Sequence, residues 1–158
     1  MRVEYINPFS EAAYDVLKEV LDVPVKRGGL SLKPTNMQIM GVAALVGLAG
    51  DVEGRVLFDM TRETALAVAG CMNSEIFTQM DELAKATIQE LANMITAQAV
   101  TKLHDLGFKF DLTPPALFTG ENMEISSNMG SNVEALIVPM ELDKYGKIEV
   151  NVVIRERV

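Results

Sequence analysis

The sequence predicts an α+β fold in which helices pack on a mainly antiparallel sheet. One observation is the segment 79–106, which contains neither glycine nor proline and is therefore expected to form one long central helix. Another is a series of short apolar runs separated by turn-forming residues, a pattern typical of antiparallel strands. The 158 residues, 49% of them hydrophobic, suffice for one substantial core. Residues 1–158 are therefore interpreted as a single domain.

The first third of the chain is expected to contain a helix and then a β-hairpin. Asn7-Pro8 predicts the start of the helix, because Asn caps free backbone amides and Pro tolerates the first helical position, and the apolar periodicity ends at Asp22. A glycine-containing loop with one short strand at 30–32 follows. Buried strands at 37–48 and 52–60 then form the predicted hairpin.

Two helices are expected in the middle of the chain. Thr61 predicts the cap of a short helix that Asn73 terminates in the left-handed conformation. Thr78, with Asp81 three residues later, resembles a capping box at the start of the long helix. Helical periodicity assigns eight residues to its core face: Leu83, Ala84, Ile88, Leu91, Met94, Ile95, Ala99 and Leu106.

The last third predicts four strands. Short apolar runs indicate strands at 116–118 and 123–125, and longer ones indicate strands at 133–140 and 148–154, with a turn at 143–146. Because short turns join antiparallel neighbours, these strands complete a mainly antiparallel sheet with the helices on a face of it.

Composition excludes several classes of function. The formal charge of -8 disfavours a nucleic-acid partner. No apolar run is long enough to span a membrane and no signal-like start is present, so a cytoplasmic protein is expected. Cys71 is the only cysteine and His104 the only histidine, so neither a disulfide nor a metal site is indicated, and no phosphate-binding glycine loop is present.

A stripe of four residues on the long helix is the candidate functional feature. Ala86, Glu90, Asn93 and Ala97 are separated by four, three and four positions, which aligns them beside the core face. Two polar groups lie between two small residues that leave room for a partner surface. A Glu and an Asn three apart nevertheless occur in many helices without a function, so the spacing alone is weak evidence.

A family resemblance strengthens the interpretation. The sequences Asp81-Glu-Leu-Ala, Glu90-Leu-Ala-Asn93-Met and Asp111-Leu-Thr-Pro-Pro115, with Gly120 shortly after, resemble the CheC/CheX/FliY family of chemotaxis phosphatases. The likeness is closest to the CheX members, whose single Glu/Asn helix it shares. The family motif commonly has Asp or Ser four residues before the Glu, and Ala86 occupies that position here.

The resemblance implies that the protein removes phosphate from a phosphorylated CheY-like receiver domain. Asn93 would then hold the attacking water, because a neutral amide accepts from water and donates to a phosphoryl oxygen without repelling it. Glu90 would pair with a receiver lysine, while Ala86 and Ala97 would contact the partner. The protein is expected to need no cofactor of its own, since the receiver's carboxylates would hold the Mg²⁺. The family also implies a homodimer, for which the strand 148–154 is the candidate interface.

Two alternatives stay open. A noncatalytic member of the same fold would bind a receiver or another signalling partner as an adaptor, which Ala86 makes conceivable. An unrelated small-molecule enzyme would use Asp111 or His104 near the turn 113–115, provided that these side chains converge in a pocket.

Overall fold

The computed structural model describes residues 3–126 and 134–156. Its helices are α1 (Val3–Leu21), α2 (Arg62–Asn73) and α3 (Glu82–Asp105). Its strands are β1 (Val25–Arg27), β2 (Ser31–Pro34), β3 (Met37–Gln38), β4 (Val42–Gly50), β5 (Val52–Met60), β6 (Phe110–Leu112), β7 (Ala116–Thr119), β8 (Glu124–Ile125), β9 (Glu134–Leu142) and β10 (Gly146–Glu156).

The strands form a large antiparallel sheet and a small second one. Within the described residues, the large sheet has the order β1-β9-β10-β5-β4-β6, with β2 also paired to β9 and β7 also paired to β4. Strands β3 and β8 pair separately. The α+β class with a mainly antiparallel sheet is therefore confirmed. The hairpin strand at 52–60 and the 143–146 turn are confirmed as well.

The helices cover one face of the large sheet. A core of apolar residues from all three helices packs against alternate residues of the central strands, and its fully buried members include Phe9, Leu17, Ile88, Ile95 and Leu103. On the opposite face, the β3–β8 pair contributes to a smaller cluster around Ile39, Ala43 and Leu57. The sheet is thus packed on both faces over its centre, and α3 belongs to the larger of the two cores.

The start of α1 differs from the prediction. The helix begins at Val3 rather than at Asn7, and Pro8 lies inside it. Tyr5 and Ile6 are 2% and 3% exposed, and the Tyr5 ring packs edge-to-face on Phe108 with 4.9 Å between ring centroids. Burial of these side chains outweighs the hydrogen bond that Pro8 cannot donate, so tertiary packing overrides the local capping signal.

The caps of α2 and α3 also differ in part from the prediction. Thr61 caps α2 as expected, but Ser74 rather than Asn73 adopts the left-handed conformation. For α3 the cap is Asp81, whose side chain accepts from the amide of Ala84 at 2.9 Å, so the helix begins at Glu82 and not near residue 79. Asp81 rather than Thr78 is the N-cap residue, because its carboxylate accepts the backbone hydrogen bond and also interacts favourably with the helix dipole.

The predicted core face of α3 was wrong at several positions. Leu83 and Leu106 are 47% and 59% exposed, whereas Thr87 and Thr96 are buried without having been assigned to the core. Leu106 is the C-cap residue, where the chain leaves the helix. Leu83 lies near the exposed stripe around the helix, and each buried threonine donates its hydroxyl to a backbone carbonyl one turn earlier, which makes its burial tolerable.

The predicted strand at 37–48 is divided in two. Met37 and Gln38 pair with β8 in the small sheet, and β4 begins only at Val42, after Gly41 with a φ of 151°. The amide of Met40 binds the Asp59 carboxylate at 3.0 Å instead of joining a ladder. Continuous hydrophobicity therefore did not reveal this change of sheet.

The predicted dimer contact through the last strand is wrong. Strand β10 lies between β5 and β9 and pairs with both along most of its length. Over residues 149–152 the backbone groups on both edges are therefore already used, and this part of the strand offers no free edge to a second copy. The adjoining strand predicted at 133–140 is found at Glu134–Leu142, and its predicted first residue, Val133, lies outside the described residues.

Candidate functional site

The stripe on α3 faces outward. Ala86, Glu90, Asn93 and Ala97 are all exposed, while Leu91 and Ile95 on the opposite side of the helix are 2% and 1% exposed. The helical period thus gave the correct orientation for all four candidate residues.

An open groove runs along three residues of this stripe, and Ala97 lies outside its lining. The helix supplies one wall with Ala86, Gln89, Glu90 and Asn93. The other wall consists of Leu112, at the end of β6, and of residues 113–115, which connect β6 to β7. The groove has a volume of about 540 Å³. The chain therefore brings together two motifs that are separated in sequence: the Glu/Asn pair and the Leu-Thr-Pro-Pro segment.

The second wall is a β-bulge. Both β6 and β7 pair with β4, and their nearest flanking pairs are Leu48 with Leu112 and Leu45 with Ala116. Two residues of β4 thus oppose three residues of the partner strand, namely residues 113–115. The extra residue bends the strand away from β4, and the prolines are tolerated because they need donate no ladder hydrogen bond there.

Three hydrogen bonds hold the bulge between β4 and α3. The amide of Gly47 donates to the Thr113 hydroxyl at 2.7 Å, and the Thr113 amide donates to the Gly47 carbonyl at 3.0 Å. From the other side, the Gln89 side-chain amide donates to the Pro115 carbonyl at 3.0 Å. A side chain at Gly47 would approach Thr113 to 3.1 Å, so glycine permits this close contact. Sequence reasoning identified neither Gln89 nor Gly47.

The residue next to Ala86 does not replace the missing polar side chain of the family motif. Thr87 is only 8% exposed. Its hydroxyl donates to the Leu83 carbonyl at 2.7 Å and accepts from the Asn73 side chain at 2.8 Å. Because one of these bonds lies within α3 and the other joins α3 to α2, the Thr87 hydroxyl is structural, and Ala86 leaves this position of the groove without a polar group.

The chemistry of the groove is limited to a carboxylate, amides and a hydroxyl. Glu90 is its only ionisable lining residue among those described. No group of three or more His, Cys, Asp or Glu side chains among the described residues is arranged to hold a metal ion. Such a surface can bind a cation, position a water molecule and admit a partner, but it lacks the nucleophile–base pair of covalent catalysis.

A second groove contains the residues of the small-molecule hypothesis. His104 and Asp111 line an open groove of about 470 Å³ together with Lys109 and the end of β4. The two residues therefore line one groove, which is separate from the groove lined by residues 113–115. Among the described residues, this lining adds no hydroxyl or thiol nucleophile.

Two buried charged residues lie on the sheet, outside both grooves. Asp59 is fully buried, and desolvation raises the pKa of its carboxyl to about 6. Arg55 donates to the Thr35 carbonyl at 2.9 Å and to Asn151 at 3.3 Å, and burial lowers its pKa. Sequence reasoning missed both, although charged residues inside the apolar strand 52–60 were a visible signal.

Solved structures share this architecture over nearly the whole chain. A CheC-like superfamily protein from Shewanella sp. PV-4 is 28% identical, covers 98% of this chain and 99% of its own, and has a TM-score of 0.86. The CheX–CheY–BeF₃–Mg²⁺ complex from Borrelia burgdorferi gives 44% identity, 98% and 100% coverage, and a TM-score of 0.83. The fold therefore defines a CheC-like protein.

Sequence comparisons assign the family within this class. The model of the chemotaxis phosphatase CheX matches residues 42–141. The CheY-P phosphatase CheX of Thermotoga maritima is 30% identical over 132 residues, which are 80% of this chain and 83% of the relative. The chain belongs to the CheX family of chemotaxis phosphatases. Within the described residues, no helix is long and apolar enough to cross a membrane.

Proposed function

We propose that this protein hydrolyses the aspartyl phosphate of a CheY-like receiver domain. The observation that carries the proposal is the pairing of exposed Glu90 and Asn93 in one groove of a CheX-family fold. A 44% identical relative has been crystallised in complex with CheY, BeF₃ and Mg²⁺, which supports a receiver as the partner.

Asn93 is the residue that orients the attacking water. Hydrolysis of an acyl phosphate requires a water in line with the phosphorus–oxygen bond to be broken, and positioning contributes much of the rate. The exposed amide of Asn93 accepts a hydrogen bond from that water and donates to a phosphoryl oxygen. A carboxylate at this position would instead repel the phosphoryl group.

Glu90 docks the receiver. Its carboxylate is exposed one turn from Asn93, at the distance at which two side chains act on adjacent groups of a partner. A lysine beside the receiver's phosphorylation site would form a charge-assisted hydrogen bond with it. The small side chains of Ala86 and Ala97 let the receiver backbone approach the helix closely.

Mg²⁺ enters the reaction with the receiver in this proposal. The metal neutralises the developing phosphoryl charge, and the groove of this protein offers a single carboxylate, from Glu90, which suits a cationic side chain. The receiver's own carboxylates would therefore hold the ion. Such a partner also implies that the protein acts in the cytoplasm.

A homodimer is part of the proposal, through an edge other than β10. Strands β1 and β2 form the edge of the sheet beside β9, and all four residues of β2 are exposed. Leu30 and Leu32 are 57% and 61% exposed there. A second copy would bury this apolar edge and pair its free backbone groups. A monomeric mass for wild-type protein in sedimentation analysis at high concentration would contradict this.

The decay of a phosphorylated receiver from the same organism tests the phosphatase proposal. Wild type is expected to accelerate decay, and Asn93→Ala to reduce the saturated rate by about 100-fold while retaining affinity for the BeF₃-loaded receiver. Glu90→Ala is expected to weaken that affinity by about tenfold. Gln98→Ala is the matched control, because Gln98 is another amide side chain of the same helix and does not line the groove. Binding of wild type without faster decay would favour the adaptor.

A further inference from the structure

The bulge at residues 113–115 is more tightly held than an ordinary loop between edge strands. Thr113 exchanges two hydrogen bonds with Gly47 of β4, and Gln89 of α3 donates to the carbonyl of Pro115. Proline fixes its own φ, so Pro114 and Pro115 add stiffness to a segment already anchored from two sides. Pro114 itself is exposed on this rigid support.

The position of this segment relative to the site is set by the helical period. Gln89 precedes Asn93 by four residues, so the two side chains lie one above the other on the same side of α3. The bond from Gln89 therefore holds the Thr113–Pro115 bulge directly beside Asn93, as the opposite wall of the same groove. Any receiver that places its phosphoryl group at Asn93 must fit between these two walls.

We propose that the Thr113–Pro115 bulge is a second docking surface for the receiver, and that Gln89 and Thr113 are positioning residues that hold it there. This inference rests on the proposed function. In this proposal the bulge contacts the body of the receiver and none of the reacting atoms. It therefore stabilises the bound ground state and the transition state of hydrolysis equally. Losing its support therefore weakens binding and leaves the chemical step unchanged.

Two measurements test the proposal. The first is affinity for the receiver loaded with BeF₃ and Mg²⁺, which requires no turnover. The second is single-turnover decay of the phosphorylated receiver at increasing phosphatase concentration, which separates the half-saturating concentration from the maximal rate. Gln89→Leu removes the bond to Pro115, and Thr113→Val independently removes the hydroxyl that Gly47 binds.

Gln98→Leu provides the matched control, since it makes the same change on the opposite side of α3. Both test variants are expected to raise the dissociation constant and the half-saturating concentration by about three- to tenfold, as expected for a lost hydrogen bond. Their maximal rates should stay within about twofold of wild type, and the control should match wild type in both measurements. Thermal unfolding of each variant verifies that it is folded.

The outcomes separate this inference from the proposed function. If folded Gln89→Leu and Thr113→Val bind as tightly as Gln98→Leu, the bulge is not a docking surface. A lower maximal rate at unchanged affinity would overturn the proposal equally, because the bulge would then act on the chemical step. If wild type binds the receiver but does not hydrolyse it, weaker binding by the two variants still supports the docking surface while the phosphatase function fails. Absence of binding by wild type would overturn both.

Discussion

Replacing the buried Asp59 is expected to show that its ionisation lowers the free energy of unfolding as the pH rises. The carboxyl is fully buried, and desolvation raises its pKa from an ordinary 3.8 to about 6, while the Met40 amide, which donates to it at 3.0 Å, acts in the opposite direction. The neighbouring charge of Glu149 also raises this pKa. Ionisation of Asp59 is therefore less favourable in the folded protein than in the unfolded chain.

The size and the sign of the effect follow from these two pKa values. Below about pH 3.8 the carboxyl is neutral in both states and makes no difference. As the pH rises from there to about 6, the unfolded chain ionises first, and the free energy of unfolding falls. Above that range the accumulated loss is about 3 kcal/mol, at about 1.4 kcal/mol for each unit of pKa.

Asp59→Asn removes this loss, because its amide cannot ionise and its carbonyl still accepts from Met40. At pH 7.5 the variant is expected to be more stable than wild type by as much as about 3 kcal/mol, and the advantage should shrink on acidification. Urea unfolding at several pH values measures the difference at constant ionic strength and protein concentration. Asp15→Asn is the control, because Asp15 is exposed on α1. A difference between Asp59→Asn and wild type that stays constant with pH would refute the reasoning.

Four further substitutions test how the scaffold of the site is held. Gly54→Ala should destabilise by about 3 kcal/mol or more in chemical unfolding, because a Cβ would overlap the Val153 carbonyl oxygen and the φ of 155° disfavours a side chain; an unchanged midpoint would contradict this. Asp81→Ala should cost about 1 kcal/mol by removing the cap of α3, whereas Thr78→Ala should cost little; equal losses would restore Thr78 as a cap. Leu103→Ala should cost about 2–5 kcal/mol in the same assay, since this side chain is 1% exposed in the core, and a loss below 1 kcal/mol would argue against that packing.

Hydrophobic periodicity predicted much of the fold. The strand at 52–60 was located to the residue, and the long helix within three residues of its start and one of its end. Both segments are long. The burial of the helix repeats with the period of its backbone, whereas the strand is a nearly continuous buried run because it is covered on both faces. The stripe around Glu90 and Asn93 was correctly oriented for the same reason, because each residue of a helix turns by a fixed angle.

Local signals failed where tertiary contacts competed with them. Asn7-Pro8 marked a plausible helix start, yet burial of Tyr5 extends the helix by another turn. The apolar run beginning at Met37 gave no sign of its change of sheet, because hydrophobicity does not specify a partner strand. The dimer contact through β10 was wrongly predicted for the same reason. Strand order depends on pairing between distant segments, which hydrophobicity does not specify, and it places β10 inside the sheet.

By itself, the sequence determined that the chain would fold as an α+β protein with Glu90 and Asn93 side by side on the solvent face of a long helix. Only the tertiary structure decided what stands opposite them. The Thr113–Pro115 wall depends on a one-residue offset in the pairing with β4 and on the bond between Gln89 and Pro115, which are 26 positions apart. Neither the offset nor the bond has a local signature, because each is fixed by the packing of α3 on the sheet.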